Sequence, residues 1–373
     1  MNFASIGDLA ACRRVVVKVG SALLVKAGEP RADWLAALAG DLAGLRQRGT
    51  EVIVVSSGAI ALGAARLGLA GGGRGSLADA QASASVGQIA LAGLWAEKLG
   101  AHGLTAAQIL LSLGDLEDRR RYLNASATLA RLLEAGAVPV INENDSVATE
   151  EIRFGDNDRL AARVAQAAGA DAVLLLSDVD GLYDRDPRAA EAQLIARVEG
   201  ITPQVLAMAS SASSSGMGSG GMTSKLQAAQ IAERAGIVLA IINGTHDAPI
   251  TKAAGAGRGT IFVPQRADTA RKAWLGGRLA PAGTLRVDGG CADALRKGAS
   301  LLAPGVVGVS GNFRRGDLVK IVTIRGEELA QGLAEYDAHE VQAIAGKRAE
   351  DQHDRLGYAP RAAVVHRDHM VLL

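Results

Sequence analysis

Aromatic side chains are nearly missing from this chain: four Phe, four Tyr and three Trp make up 3% of its 373 residues. Any core must therefore rest on Val, Ile, Leu and the abundant Ala. An excess of charge of either sign is missing too. With 40 basic and 39 acidic residues the formal charge is +1, which excludes nucleic-acid or membrane binding driven by net charge, though not a local patch. Only two cysteines occur, Cys12 and Cys291, far apart and in no metal-ligand spacing. Two such thiols are expected to be ordinary residues of a reducing cytoplasm. No uninterrupted apolar run approaches the roughly 20 residues that span a bilayer. The start, "MNFASIGDLA", lacks the basic end and long apolar stretch of an export signal. The expectation is a soluble, cytoplasmic protein without membrane contact.

What is present is an alternation. "RVVVKVG" (Arg14–Gly20) reads as a strand ending in glycine, and "WLAALAGDLAGLRQRG" as the helix after it. "EVIVVSSG" (Glu51–Gly58) is a second strand, followed by the helical "AIALGAARLGL". "GLTAAQILLS", "GAVPVINEND", "DAVLLLSDVDG" and "GIVLAIING" each carry a strand-like run between helix-like segments. Such alternation predicts a largely parallel sheet with helices on both faces, and ligands beyond the carboxyl ends of its strands. From about Pro281 the rhythm changes to short, glycine-punctuated strands with two helix-like pieces, around Asp293–Gly298 and Ala338–Ala345. A small β-rich second domain is expected there. "AGGGRG" (Ala70–Gly75) and "ASSASSSGMGSGG" (Ala209–Gly221) are expected to be mobile loops, being too rich in glycine or serine to pack.

Five stretches carry the chemistry. "KVGS" (Lys18–Ser21) puts a lysine at a strand end beside backbone amides, or else a lysine on an edge strand facing solvent. "SSGAIALG" (Ser56–Gly63) offers hydroxyls and amides at a helix start, or only an N-cap from Ser56 or Ser57. "INENDSVATEEIRFGDNDRLAARVA" (Ile141–Ala165) is the most informative. Asn142, Glu143, Asn144 and Asp145 end a strand, and Gly155, Asp156, Asn157 and Asp158 open a helix. One of Asp156 to Asp158 suits a cap, but two polar clusters on one return of the chain exceed what capping needs. Carboxylates for an ammonium and amides for a carboxylate suit a small zwitterion; the same groups could orient a lysine or hold Mg²⁺. "LLLSDVDGLYDRDP" (Leu174–Pro187) ends a strand in Ser177 and Asp178 and lacks the glutamate that closes a calcium loop. "GSGGMTSK" (Gly218–Lys225) fails as a P-loop, because Ser224 precedes the lysine and Leu226 follows it. It still offers a glycine loop, a helix start and a cation to an anion.

Together, and in this order, these stretches resemble the glutamate 5-kinase group of the amino-acid kinase family. "SLLAPGVVGVSGNFRRGDLVKI" and "VVHRDHM" resemble the PUA domain found in many bacterial members. The resemblance covers almost the whole chain. It implies a three-layer αβα sandwich with a mainly parallel sheet at residues 1–265, a linker at 266–280 and a β-rich PUA domain at 281–373. The activity implied is transfer of phosphate from ATP, with Mg²⁺, to the γ-carboxylate of L-glutamate, the first step toward proline. Lys18 and Lys225 would flank the transferred group, with Asp158 orienting them. Ser57, Gly58, Asp145 and Asn157 would bind glutamate. Lys18, Gly20, Ser177, Asp178, Ser219, Gly220, Gly221, Met222, Thr223, Ser224 and Lys225 would bind the nucleotide. No residue is assigned as a metal ligand. A homo-oligomer (dimer or tetramer), feedback inhibition by proline and coupling to glutamyl phosphate reductase are further implications. The low-complexity "AGGGRG" and "SSASSSGMG" depart from the family pattern.

Rivals remain within the fold, among them acetylglutamate kinase, aspartokinase and uridylate kinase. "INENDSVATEEI" with "GDND" and the PUA tail argue against them. An RNA-binding role of the PUA domain is a rival of another class. The tail is poor in the aromatics that stack on bases, which argues against RNA binding as the main function. A dead kinase fold is the third, opposed by the retention of both lysines and Asp158.

Overall fold

The computed structural model describes residues 3, 5–147, 157–211, 221–265 and 281–372. They fall into two compact units, Met1–Glu117 with Ala125–Ala267, and Asp118–Asn124 with Asp268–Leu373.

The first unit is built on β1 (Arg14–Val19), β2 (Val25–Lys26), β3 (Glu29–Pro30), β4 (Glu51–Ser56), β5 (Ala106–Leu111), β6 (Val138–Glu143), β7 (Ala172–Ser177), β8 (Arg197–Glu199), β9 (Val238–Asn243) and β10 (Thr260–Val263). Its helices are α1 (Ser21–Leu24), α2 (Ala32–Gln47), α3 (Ala59–Leu67), α4 (Leu77–Gly100), α5 (Leu113–Glu117), α6 (Arg119–Glu134, from Ala125 onward), α7 (Asn157–Ala168), α8 (Pro203–Ser211), α9 (Met222–Arg234) and α10 (Pro249–Ala256). Eight strands form one sheet in the order β5-β6-β4-β1-β7-β9-β10-β8, while β2 and β3 make a separate hairpin. All neighbours run parallel except β9 and β10. β6 and β7 are buried at every residue, and β1 from Val15 onward. A run buried without alternation has both faces covered, as in a doubly covered parallel sheet. The chain leaves β1 on one side through β4 and returns on the other at β7. That makes the carboxyl end of β1 a switch point, where such sheets hold ligands.

Pattern alone locates the long strands. It does not reveal β8 and β10, which are three and four residues long and close the far edge, one of them antiparallel. The glycine turn at Ala70–Gly75 is exposed except at one position. Gly73 is buried at φ +72, and a Cβ there would lie 2.4 Å from Ser83 Oγ and 2.8 Å from Ala64 Cβ. At that position the turn packs, and glycine is what lets it. Of the serine-rich stretch, Ala209–Ser211 still belongs to α8, and residues 212–220 lie outside the described ones.

One buried charge serves the fold alone. Ala248, which precedes α10, offers no side-chain cap. Asp41 of α2 supplies it, accepting from the Ile250 amide at 2.8 Å and from Thr251 Oγ1 at 2.5 Å while only 7% exposed. Asp41→Ala strands both donors, so stability should fall by about 2 kcal/mol; urea unfolding checks this.

The second unit carries a five-stranded sheet, β12-β11-β13-β14-β15, from β11 (Gly283–Val287), β12 (Val306–Gly311), β13 (Leu318–Thr323), β14 (Glu328–Leu333) and β15 (Met370–Leu372). Only β11 and β13 pair in parallel. Helices Gly289–Arg296 and Ala338–Ile344 match the two expected pieces, and Ala349–Leu356 is a third that pattern reading misses. Leu285, Leu295, Phe313, Ile321, Tyr336 and Val341 centre its core. Burial pushes the Cys12 thiol up to about 12 and the Cys291 thiol to about 11, so both stay protonated and inert at neutral pH.

Candidate active site

Strand alternation decides where Lys18 points. Val15, Val17 and Val19 of β1 pack into the core with Trp34, Leu38 and Trp95. With a period of two, Lys18 takes the opposite face, against which α7 packs. Asp158 is the second residue of α7, and Lys225 stands in the first turn of α9, the helix beside it. The three side chains meet. Lys18 Nζ lies 2.6 Å from Asp158 Oδ1, and Lys225 Nζ donates to Asp158 Oδ2 at 3.2 Å. Lys18 is 7% exposed, Lys225 6% and Asp158 not at all, so an edge-strand lysine in solvent is excluded.

The electrostatics follow from that burial. Desolvation alone would raise the Asp158 carboxyl, but the two ammonium groups, Lys18 first, hold it below the usual carboxylate range. Desolvation pushes Lys225 below the usual lysine range; Asp158 opposes this and repulsion from Lys18 adds to it. Two ammonium groups meet at one carboxylate away from water, where charge is costly. The centre is complementary to an anion.

The other nucleotide-loop candidates surround it. Gly20 precedes α1, and a Cβ on it would lie 3.6 Å from Lys18 Nζ, so backbone passes directly beside the ammonium. Gly221 is the N-cap of α9, with Met222, Thr223, Ser224 and Lys225 as its first turn. Ser224 Oγ is buried without a hydrogen-bond partner among the described residues. A helix start, an uncommitted hydroxyl and a lysine therefore converge. Ser177 ends β7 buried, its Oγ donating to Asp178 Oδ1 at 3.2 Å. Asp178 is exposed and close enough to pull on the Lys225 charge. Ser219 and Gly220 lie outside the described residues.

A second group forms beyond β4 and β6. Asn157 Nδ2 donates to Ser57 Oγ at 2.5 Å and points toward Asn142 Oδ1 at 3.5 Å. Neither serine caps α3; Gly58, at φ 115, is its N-cap. Ser56 Oγ instead accepts from Trp95 Nε1 at 2.9 Å. Asp158 is no cap either but the shared counter-ion, and Gly155 and Asp156 lie outside the described residues. Asp145 follows β6 in a short 3-10 turn, Asp145–Val147. Burial pushes its carboxyl up to about 6, against the pull of Arg74 from the glycine turn. Residue-by-residue reading did not select Asn142, Gln88 or Arg74. Asn142 stood in a highlighted cluster, but Gln88 sits in an alanine-rich helix with no local signal.

An open, mainly parallel sheet with a buried lysine pair at its carboxyl edge defines a class: α/β proteins that hold an anionic group at a switch point. The family model for the "Amino acid kinase family" matches residues 13–243, and that for the "PUA domain" matches 283–356. A glutamate 5-kinase from Novosphingobium aromaticivorans is 65% identical over 373 residues, covering 100% of this chain and 99% of its own. One from Sphingopyxis alaskensis is 61% identical over 365 residues, with 98% of each covered. Among solved structures, a carbamate kinase from Giardia lamblia bound to AMP-PNP aligns at 14% identity and a TM-score of 0.48, covering 69% of this chain and 100% of its own. The chain belongs to the amino acid kinase family, in its glutamate 5-kinase branch.

Proposed function

We propose that the chain transfers the terminal phosphoryl group of ATP to the γ-carboxylate of L-glutamate, giving L-glutamyl 5-phosphate, the first step of proline biosynthesis. The observation that carries this reading is the buried Lys18–Asp158–Lys225 centre, whose two ammonium groups are complementary to a phosphate in transfer. A γ-carboxylate oxygen forms a bond to the γ-phosphorus. The bond from that phosphorus to the bridging oxygen breaks, and ADP leaves with the electron pair. The nucleophile is already an anion, so no general base is needed. What remains is positioning and charge neutralisation, the main work in phosphoryl transfer. Lys18 and Lys225 take the developing charge on the phosphoryl oxygens, and Asp158 keeps both ammonium groups aimed.

The amides at Gly20 and Gly221 and the hydroxyl of Ser224 suit the phosphates, with Ser177, Asp178, Ser219, Gly220, Met222 and Thr223 completing the nucleotide loop. Ser57, Gly58, Asn157 and Asp145 suit the amino acid. Among the described residues no three His, Cys, Asp or Glu side chains cluster as a metal cage, and Asp158 is committed to two lysines. A Mg²⁺ brought in with the nucleotide would be held chiefly by its phosphates and water, and no protein ligand is assigned to it. When bound, the ion would offset charge on the β- and γ-phosphates.

The proposal assigns catalysis to residues 1–265, a linker to 266–280 and the PUA domain to 281–373. It extends to a cytoplasmic homo-oligomer, inhibited by proline and coupled to glutamyl phosphate reductase. No helix among the described residues is long and apolar enough to cross a membrane.

ATP consumption by the purified chain, measured with L-glutamate, N-acetylglutamate and aspartate, tests the reading. Turnover is expected with glutamate alone; turnover with none of them overturns it. The pH profile adds a second check. Asp145 must be ionised to meet the substrate ammonium, and its carboxyl titrates at about 6. Protonation of the free enzyme should therefore lower kcat/KM for glutamate about tenfold per pH unit below that value. The substrate's own γ-carboxyl, near ~4.3, stays ionised through pH 5. Asp145→Asn should abolish this acid limb.

A further inference from the structure

We infer that Gln88 of α4 fixes the hydrogen-bond polarity of the amino-acid site, acting through Asn142 on Asn157 and Ser57. The inference rests on the proposed binding of glutamate by those last two residues. Helical spacing aligns Gln88 with Ala84, Leu91 and Trp95, which are buried, and it follows the buried Gly87. Gln88 itself is half-buried, on the edge of that stripe. Its partner is Asn142, whose Nδ2 donates to Gln88 Oε1 at 2.8 Å.

A carboxamide donates on one side and accepts on the other, so one fixed bond sets the next. With its amino group on Gln88, Asn142 turns its carbonyl toward Asn157. Asn157 then directs its amino hydrogens to Asn142 Oδ1 and Ser57 Oγ. Two groups keep the capacity this relay leaves them: Asn157 Oδ1 to accept and the Ser57 hydroxyl to donate. An α-ammonium only donates and a carboxylate only accepts, so a free amino acid matches both. An N-acylated analogue offers a single uncharged N–H. The relay joins four elements, α4, β6, α7 and the β4–α3 turn, and its inner members are buried, Asn142 at 3% and Asn157 at 8%.

The test is steady-state kinetics on the full chain for Gln88→Met, Gln88→Glu and Asn157→Ala, with thermal unfolding of each. Gln88→Met should raise KM for glutamate about tenfold, the size of one lost buried hydrogen bond, with kcat and KM for ATP within about twofold. Gln88→Glu keeps an oxygen facing Asn142, so it should stay within about threefold of wild type and still prefer glutamate to N-acetylglutamate. A loss in Gln88→Glu equal to that in Gln88→Met overturns the polarity, and Gln88→Glu can be read even if Gln88→Met does not fold. An unchanged glutamate KM in Gln88→Met, beside a raised one in Asn157→Ala, overturns the role of Gln88 alone. An unchanged KM in Asn157→Ala overturns the underlying site reading instead.

Discussion

Lys225→Met should lower kcat about a thousandfold while the protein stays folded, and Lys18→Met should do the same. The size follows from what one preorganised charge contributes in a water-excluded site, roughly 10²- to 10⁵-fold for groups that neutralise transferring phosphoryl oxygens. Methionine keeps most of the buried stem and removes only the ammonium. Stability changes little because Asp158 retains its other lysine, 2.6 Å away in one variant and 3.2 Å in the other. The repulsion between the two cations also disappears. Arginine should not rescue either position, since a planar fork cannot replace a compact charge at such close quarters. Single-turnover measurements with thermal unfolding check both halves, and near-normal turnover in either methionine variant sinks the assignment.

Asp158→Asn has the second largest effect, on fold and turnover together. It removes the carboxylate that both buried ammonium groups share, the situation in which breaking a buried pair costs about 3–5 kcal/mol. Turnover should fall at least about a hundredfold, because the lysines lose the group that aims them. The pH dependence separates this from a packing defect. In the wild type the depressed Asp158 carboxyl contributes stability above the ordinary carboxylate range, and that contribution is lost as acid protonates it in the folded state. In the variant Lys225 loses the main influence that raises its titration, so its folded-state value falls further below the unfolded one. Between those two values the unfolded chain binds more protons, and stability rises with pH. The wild type gains in the same way only above its own, higher Lys225 value, so urea unfolding should show a deficit that shrinks as pH rises between the variant's Lys225 value and the wild type's. A deficit independent of pH would point to packing alone.

The long strands and the two lysines were legible in sequence because each announces itself locally. A β-branched run ending in glycine, or a lysine at a helix start, needs no distant partner to be noticed. Lys18 is ambiguous until its neighbours are known, since a strand lysine faces solvent unless an element packed on its face brings a charge to it. Asp158 supplies that charge from 140 residues away. Two features were illegible for the same reason. The glycine turn at Ala70–Gly75 reads as mobile, yet Gly73 packs against Ser83 and Ala64, a contact composition does not encode. Gln88 reads as one polar residue of an alanine-rich helix, and only the position of Asn142 gives it a role.

The central claim is that an oxygen of the γ-carboxylate is phosphorylated. Hydroxylamine trapping during turnover tests it most directly, with the purified chain, ATP and L-glutamate and the adduct identified by mass spectrometry. The account predicts glutamate 5-hydroxamate formed in step with ADP, and none from N-acetylglutamate or aspartate. ADP without hydroxamate, or an adduct on the α-carboxylate, would contradict it.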